Sequence, residues 1–128
     1  MSGKRLLTIN FMNYIPIGSV GICDYLERHG IKAKILNIAD NKRSKESLLR
    51  LQRYIDQFNP EYIVLLLHWK EALPDFDYFG NYIRKIYPRI KLIASGFTAG
   101  YFKKSLLEKY QFVDYLIYGD PEYSLQQL

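Results

Sequence analysis

Six consecutive apolar residues, Tyr62-Ile63-Val64-Leu65-Leu66-Leu67, constrain this chain more than any other feature. The run is far too short for a membrane span, which takes ~20 apolar residues. Asn59-Pro60 separates it from what precedes, and His68 follows it. A strand that is apolar throughout has to be covered on both faces. Helices supply that cover, and helices between strands imply right-handed crossovers and a parallel sheet.

The rest of the chain repeats this logic. Leu6 to Asn10 reads as a first strand, and Ile17 to His29 as a helix with Val20, Cys23 and Leu26 at a spacing of three. Gly30 closes that helix where a left-handed residue is wanted. Lys32 to Ile38 is a second strand whose two lysines suit an exposed edge. Ser44 caps a helix running to Phe58, with Leu48, Leu51, Ile55 and Phe58 on one face. Asp75 is expected to cap a third helix that turns Phe76, Phe79, Ile83 and Ile86 inward and ends at Pro88. Ile90 to Ser95 is a fourth strand. Phe102, Leu106 and Tyr110 mark a fourth helix, Phe112 to Tyr118 a fifth strand, and Pro121 starts a last helix. The expected fold is α/β: a three-layer, flavodoxin-like (Rossmann-like), doubly wound five-stranded parallel sheet of order 2-1-3-4-5.

Composition removes several function classes. The 128 residues make one domain, 1–128, with room for a core. One cysteine, Cys23, rules out an internal disulfide, a four-cysteine zinc site and an iron–sulfur cluster held by this chain alone. With no signal peptide at the start, the expected compartment is the cytoplasm. The net charge is +5, from 18 Lys and Arg against 13 Asp and Glu. It is spread along the chain, densest from Arg28 to Arg53, which argues against nucleic acid as a partner. Nor is a membrane partner expected. Twelve tyrosines, seven phenylalanines and one tryptophan suit either a small core or a protein interface.

In open parallel sheets, ligands bind at the carboxyl ends of the strands near the switch in strand order. Asn10 to Gly18, Ala39 to Ser44, His68 to Pro74, Ser95 to Gly100 and Gly119 to Glu122 would line that rim. No G-x-G-x-x-G follows the first strand, and there is no P-loop. The acidic cluster that holds magnesium in phosphoacceptor receivers is missing too. What remains is Pro16-Ile17-Gly18 opening the first helix and Ser95-Gly96-Phe97-Thr98-Ala99-Gly100 after the fourth strand. Gly96 admits a ligand or a neighbouring backbone closely, or simply turns the chain.

The ordered set of features resembles the cobalamin (vitamin B12)-binding domain at the amino end of many radical S-adenosylmethionine (SAM) enzymes. The resemblance is carried by Pro16-Ile17-Gly18, by YLERHGIKAKILNI (Tyr25 to Ile38) and by LLRLQRYIDQFNPEYIVLLL (Leu48 to Leu67). YPRIKLIASGFTAG (Tyr87 to Gly100) and VDYLIYGDPEYSLQQL (Val113 to Leu128) complete it, so it covers nearly the whole chain. It implies that a downstream barrel, a partner in cis, carries C-x-x-x-C-x-x-C, the [4Fe-4S] cluster and S-adenosylmethionine. This sequence has no such motif. The chain is therefore expected to be the N-terminal part of a larger radical SAM protein, of methyltransferase or Fe–S oxidoreductase type, or else a free-standing relative that lost the barrel, and not catalytic alone.

The departures from the family pattern fall at the rim. D-x-H-x-x-G, whose histidine ligates cobalt in other cobalamin domains, is replaced by Asn10-Phe11-Met12-Asn13-Tyr14-Ile15. Radical SAM relatives commonly lack that histidine. Leu67-His68-Trp69 stands where a serine or threonine is frequent, and Ser95-Gly96 where two glycines are. Gly119-Asp120-Pro121-Glu122 stands for glycine-glutamate-glycine-glutamate. The resemblance implies a corrinoid site formed by Met12, Tyr14, Pro16, Ile17, Gly18, His68, Trp69, Ser95, Gly96, Phe97, Thr98 and Gly119. Met12 and Tyr14 can cover a corrin face, and Trp69 can stack on a flat ring. Ser95 and Thr98 can bond a tail or a phosphate. His68 can ligate cobalt or bond a neighbouring loop. Cys23 reads as buried and inert, and His29 as a favourable helix-end charge.

The leading expectation is a cobalamin-binding-type module that positions a corrinoid for a neighbouring radical SAM domain. The alternative is a cofactor-less relative serving as a docking or interaction module. A third reading is a small enzyme binding a phosphorylated ligand at Ser95 to Gly100.

Overall fold

The apolar run forms the central strand of a five-stranded sheet, as its composition requires. The computed structural model describes residues 4–11, 17–38, 43–67, 70–96, 104–117 and 125–127. Along the chain these give β1 (Arg5–Asn10), α1 (Ile17–Arg28), β2 (Lys32–Asn37), α2 (Lys45–Phe58) and β3 (Tyr62–Leu66). A 3-10 turn (Lys70–Ala72) leads to α3 (Leu73–Ile86), followed by β4 (Lys91–Ser95), α4 (Lys104–Lys109) and β5 (Tyr115–Ile117). All strand pairs are parallel and the order is β2-β1-β3-β4-β5. This is the flavodoxin-like arrangement, with its switch point between β1 and β3.

Each strand sends alternate side chains to opposite faces. Leu7, Ile9 and Phe11 of β1 and its end join Ile63, Leu65 and Leu67 against Leu51 and Ile55 of α2 and Phe76, Phe79 and Ile83 of α3. Leu6, Val64, Leu66 and Ile93 face the other way, against Ile22, Cys23 and Leu26 of α1 and Leu125 near the carboxyl end. Burying each large aliphatic or aromatic side chain contributes roughly 1.5–3 kcal/mol. The α2/α3 face is the more aromatic: Phe11 stacks on Phe79 at 6.0 Å between centroids, and Phe76 lies 5.2 Å from both Tyr110 and Phe112.

The element ends follow local chemistry. Ser44 Oγ accepts from the Ser47 amide at 3.2 Å and caps α2. Asn59 ends α2 in the left-handed region at φ 52°, returning its amide to the Ile55 carbonyl. Gly30, at φ 82°, turns the chain after α1 as expected. The guanidinium of Arg84, on α3, donates through Nη1 to the carbonyls of Pro88 and Ile90, each at 3.1 Å, and through Nη2 to the Phe112 carbonyl at 2.8 Å and to the Asp114 carboxylate. Asp114 Oδ2 also accepts from the Leu92 amide at 2.8 Å. One side chain thus ties the end of α3 to the starts of β4 and β5.

β2 is an edge strand, and both of its lysines are exposed. Lys34 Nζ lies 5.6 Å from the Phe58 ring centroid, and the Ala33 amide donates to Glu27 Oε1 at 3.3 Å.

Several expectations need correction. Asp75 is not the cap of α3: the helix begins at Leu73 behind Ala72, which makes no side-chain capping bond. Pro74 pre-sets the first turn instead, and Asp75 is held by Arg43. Val20 is 51% exposed and Ile86 40% exposed, so neither faces inward; Ile22 is the buried partner of Cys23 and Leu26. Among the described residues β5 spans Tyr115–Ile117 and begins late, because Phe112 and Val113 pack into the core from the preceding turn; Tyr118 lies outside the described residues. Phe102 and Pro121 lie outside the described residues, whereas Leu125 is buried as a helix face would be.

Candidate functional site

The carboxyl ends of the strands bring Asn10, Asn37, Leu66, Ser95 and Ile117 into one row. The register places Asn10 opposite Asn37, Leu66 opposite Ser95, and Ser95 opposite Ile117. Alternation then sorts the polar side chains. On β1, Leu7, Ile9 and Phe11 face α2 and α3, so Thr8 and Asn10 face α1. On β4, Ala94 faces α2 and α3, so Ser95 faces α1 as well. Three small polar residues, each no more than 2% exposed, therefore share the α1 face of the sheet at and beside its switch point. Among the described residues, the strand side chains that face α2 and α3 here are apolar.

Thr8 is the unusual member. Its Oγ1 is the one buried side-chain polar atom among the described residues that has no hydrogen-bond partner. An unmade bond of that kind costs about 1–3 kcal/mol. Its neighbour on α1 is Cys23. Burial pushes the Cys23 thiol up to about 11, a weak contact with the Thr8 hydroxyl, short of a well-formed hydrogen bond, opposing this and the Glu27 carboxylate adding to it. The raised value means that the folded state keeps its proton where the unfolded chain loses it. Stability contributed here is intact below pH 9 and is lost as pH rises from 9 toward 11. Urea midpoints across that range should fall more for the native protein than for Cys23→Ala. Alkylation by iodoacetamide should be about a hundredfold slower folded than unfolded.

Gly96, immediately after Ser95, has φ 120°, a conformation that L side chains rarely adopt. The absence of a side chain at this turn is thus a backbone requirement as well as an opening at the rim. The Leu67 amide donates to the Ser95 carbonyl at 2.7 Å, extending the pairing of β3 with β4 to the mouth of the site.

On the α2/α3 side the rim is closed by Phe11, which is fully buried, and by an ion pair. Arg43 Nη1 donates to Asp75 Oδ1 at 3.0 Å. The Arg43 side chain is 47% exposed and that of Asp75 10%. The pair joins the segment after β2 to the first turn of α3.

Of the residues expected at the site, Ser95 and Gly96 meet at the rim, and Ile17 and Gly18 form the first turn of α1. Met12, Tyr14, Pro16, His68, Trp69, Phe97, Thr98 and Gly119 lie outside the described residues. Sequence reasoning missed Thr8 and the Arg43–Asp75 pair. Thr8 had a signal: it is the one polar residue inside Leu6-Leu7-Thr8-Ile9. The ion pair had none, being 32 residues apart.

No protein-family model matches the sequence, and no curated protein does. Solved structures match its fold over 98% of its length. One is the radical S-adenosylmethionine methyltransferase TsrM from Kitasatospora setae, at TM-score 0.81, 16% identity and 25% of that chain. A second is a cobalamin-binding protein from Desulfitobacterium hafniense, at TM-score 0.74, 13% identity and 58% of that chain. The chain shares its fold with a cobalamin-binding protein. A CheY-like protein, TadZ from Pseudomonas aeruginosa, is also similar, at TM-score 0.67, 12% identity and 91% of that chain. Likeness at these identities is likeness of fold, which different functions use. The chain spans about a quarter of the first of these proteins and just over half of the second. Among the described residues no helix is long and apolar enough to cross a membrane, and no group of three metal-ligating side chains occurs.

Proposed function

We propose that this chain is a cobalamin-binding-type module that holds a corrinoid at the carboxyl rim of its sheet, for use by a radical SAM domain of the same polypeptide. The observation that carries the reading is the buried Thr8 hydroxyl, which has no well-formed hydrogen bond and only the weakly bonding Cys23 thiol beside it. A buried polar group without a partner persists at a cost, and a ligand that bonds it repays that cost. Thr8 shares its face with Asn10 and Ser95, and Gly96 leaves the mouth without a side chain. These residues fit a polar tail descending between the sheet and α1. The fold likeness to a radical SAM methyltransferase and to a cobalamin-binding protein supports the same class.

In this reading Thr8, Asn10 and Ser95 hydrogen-bond the tail, and the backbone at Gly96 approaches it closely. Met12, Tyr14, Pro16, Ile17, Gly18, His68, Trp69, Phe97, Thr98 and Gly119 complete the rim around the ring. When bound, the corrinoid supplies a cobalt that carries a methyl group or an electron. The chain itself binds and orients. S-adenosylmethionine and the iron–sulfur cluster belong to the neighbouring domain. The proposed compartment is the cytoplasm.

The test is an absorbance titration with hydroxocobalamin followed by desalting, on the native protein and on Thr8→Val. The native protein should retain about one equivalent with a shifted spectrum. Thr8→Val should be more stable than native by about 1 kcal/mol, because valine removes the unpaired hydroxyl while keeping the shape. It should also bind hydroxocobalamin roughly tenfold more weakly. Retention of no corrinoid by folded protein would remove the cofactor reading and favour a docking module. Equal binding by Thr8→Val would remove Thr8 from the site.

A further inference from the structure

The Arg43–Asp75 pair has a form that the fold alone does not require. Asp75 sits in the first turn of α3, where a carboxylate is already favoured by the helix dipole. It is nevertheless 7% exposed and faces Arg43. Arg43 presents the reverse balance: one nitrogen, Nη1, bonds the buried carboxylate, and close to half of the side chain is open to solvent. The pair joins the segment between β2 and α2 to the first turn of α3, both of which follow the carboxyl ends of strands. A guanidinium is therefore fixed by a buried carboxylate on the carboxyl side of the sheet, with a fork of N–H donors partly open to solvent.

We infer that Arg43 is a binding residue for an acceptor oxygen of the corrinoid, with Asp75 as its positioning residue. The inference rests on the reading of the site as a corrinoid site. Corrinoids present two kinds of acceptor oxygen: the amide carbonyls around the ring and the phosphodiester of the nucleotide tail. Either accepts from a guanidinium, and charge-assisted bonds of this kind are about twice as strong as neutral ones. Pre-fixing the arginine lowers the ordering entropy that binding would otherwise cost.

The experiment compares the native protein with Arg43→Met, Arg43→Lys and Asp75→Asn. Each is titrated by absorbance with hydroxocobalamin and with dicyanocobinamide, which keeps the ring amides but lacks the nucleotide tail. Thermal melting without ligand accompanies each titration. Arg43→Met should weaken hydroxocobalamin binding about tenfold to a hundredfold. Arg43→Lys should recover only part of it, because an ammonium does not reproduce the fork. Asp75→Asn should fall between, losing positioning while keeping the donor. Equal weakening for both corrinoids places the contact on the ring amides; weakening for hydroxocobalamin alone places it on the phosphodiester. Native affinity in Arg43→Met overturns the inference and leaves the corrinoid site standing. Failure of the native protein to hold either corrinoid overturns both. A loss of binding matched by a loss of folded protein in Arg43→Met, with native affinity in the folded Arg43→Lys and Asp75→Asn variants, also overturns it.

Discussion

Replacing Arg84 with methionine is expected to destabilise the protein by about 2–4 kcal/mol. On a domain of this size that lowers Tm by on the order of 10 °C. Methionine keeps much of the stem's packing and removes every donor. The carbonyls of Pro88, Ile90 and Phe112 then lose a charged partner, and the Asp114 carboxylate keeps only the Leu92 amide. Both side chains of the Arg84–Asp114 pair are about 30% exposed, so solvent screening reduces the purely ionic part. The larger loss comes from the backbone carbonyls, of which that of Phe112 belongs to a buried residue. Lysine at this position should recover less than half of the loss, having no fork to span several acceptors. Urea denaturation of Arg84→Met, Asp114→Asn and the double variant measures the coupling. Additive effects within 0.5 kcal/mol would show that the two side chains act independently.

The second large effect is expected at Gly80, in the middle of α3. Helix propensity alone favours Gly80→Ala by up to about 1 kcal/mol. Contact geometry opposes it. A Cβ built there would meet Phe112 Cε1 at 2.1 Å and Cζ at 2.5 Å. The Phe112 ring is hemmed in by Phe76 at 5.2 Å and Tyr110 at 5.9 Å, so it has little freedom to swing aside. Overpacking of this kind costs about 1–3 kcal/mol, and here it should outweigh the propensity gain. The expected result is a net loss near 2 kcal/mol for Gly80→Ala. Phe112→Leu in the same chain should restore part of it by vacating the ring's outer edge. A variant at least as stable as native would mean that the ring shifts without cost.

The sheet was readable from the sequence because its cause is local. Tyr62 to Leu67 has no polar residue to place in water, and Lys32 and Lys34 alternate as an edge strand demands. Gly30 and Asn59 stop helices for backbone reasons confined to one residue. What was not readable depends on partners distant in the chain. Asp75 has the right chemistry for a cap, and only the approach of Arg43 shows that it does something else. Val20 lies on the helical repeat of Cys23 and Leu26, but the packed stripe of α1 runs through Ile22, Cys23 and Leu26, which leaves Val20 exposed. Phe112 is as strand-like as Leu116, yet Gly80 makes room for its ring under α3, and the strand begins later. At the rim, the sequence marked Ser95, which ends β4, and Gly96, whose positive φ turns the chain there. Thr8 went unmarked because one threonine in a strand is ordinary until its hydroxyl is seen to lack a partner.

The two edges of the sheet are unlike, and this sets how molecules of this protein are able to associate. On β2 the exposed lysines and the Glu27 bond to the Ala33 amide oppose pairing with another strand. β5, the other edge, carries no charge in Tyr115-Leu116-Ile117, and Tyr115 is 45% exposed. Strand-by-strand polymerisation needs two receptive edges on every subunit, one to accept and one to pass the sheet on. With one edge barred, addition at β5 ends the series at its first step: two copies meeting there make a closed pair, and the sheet has nowhere further to grow.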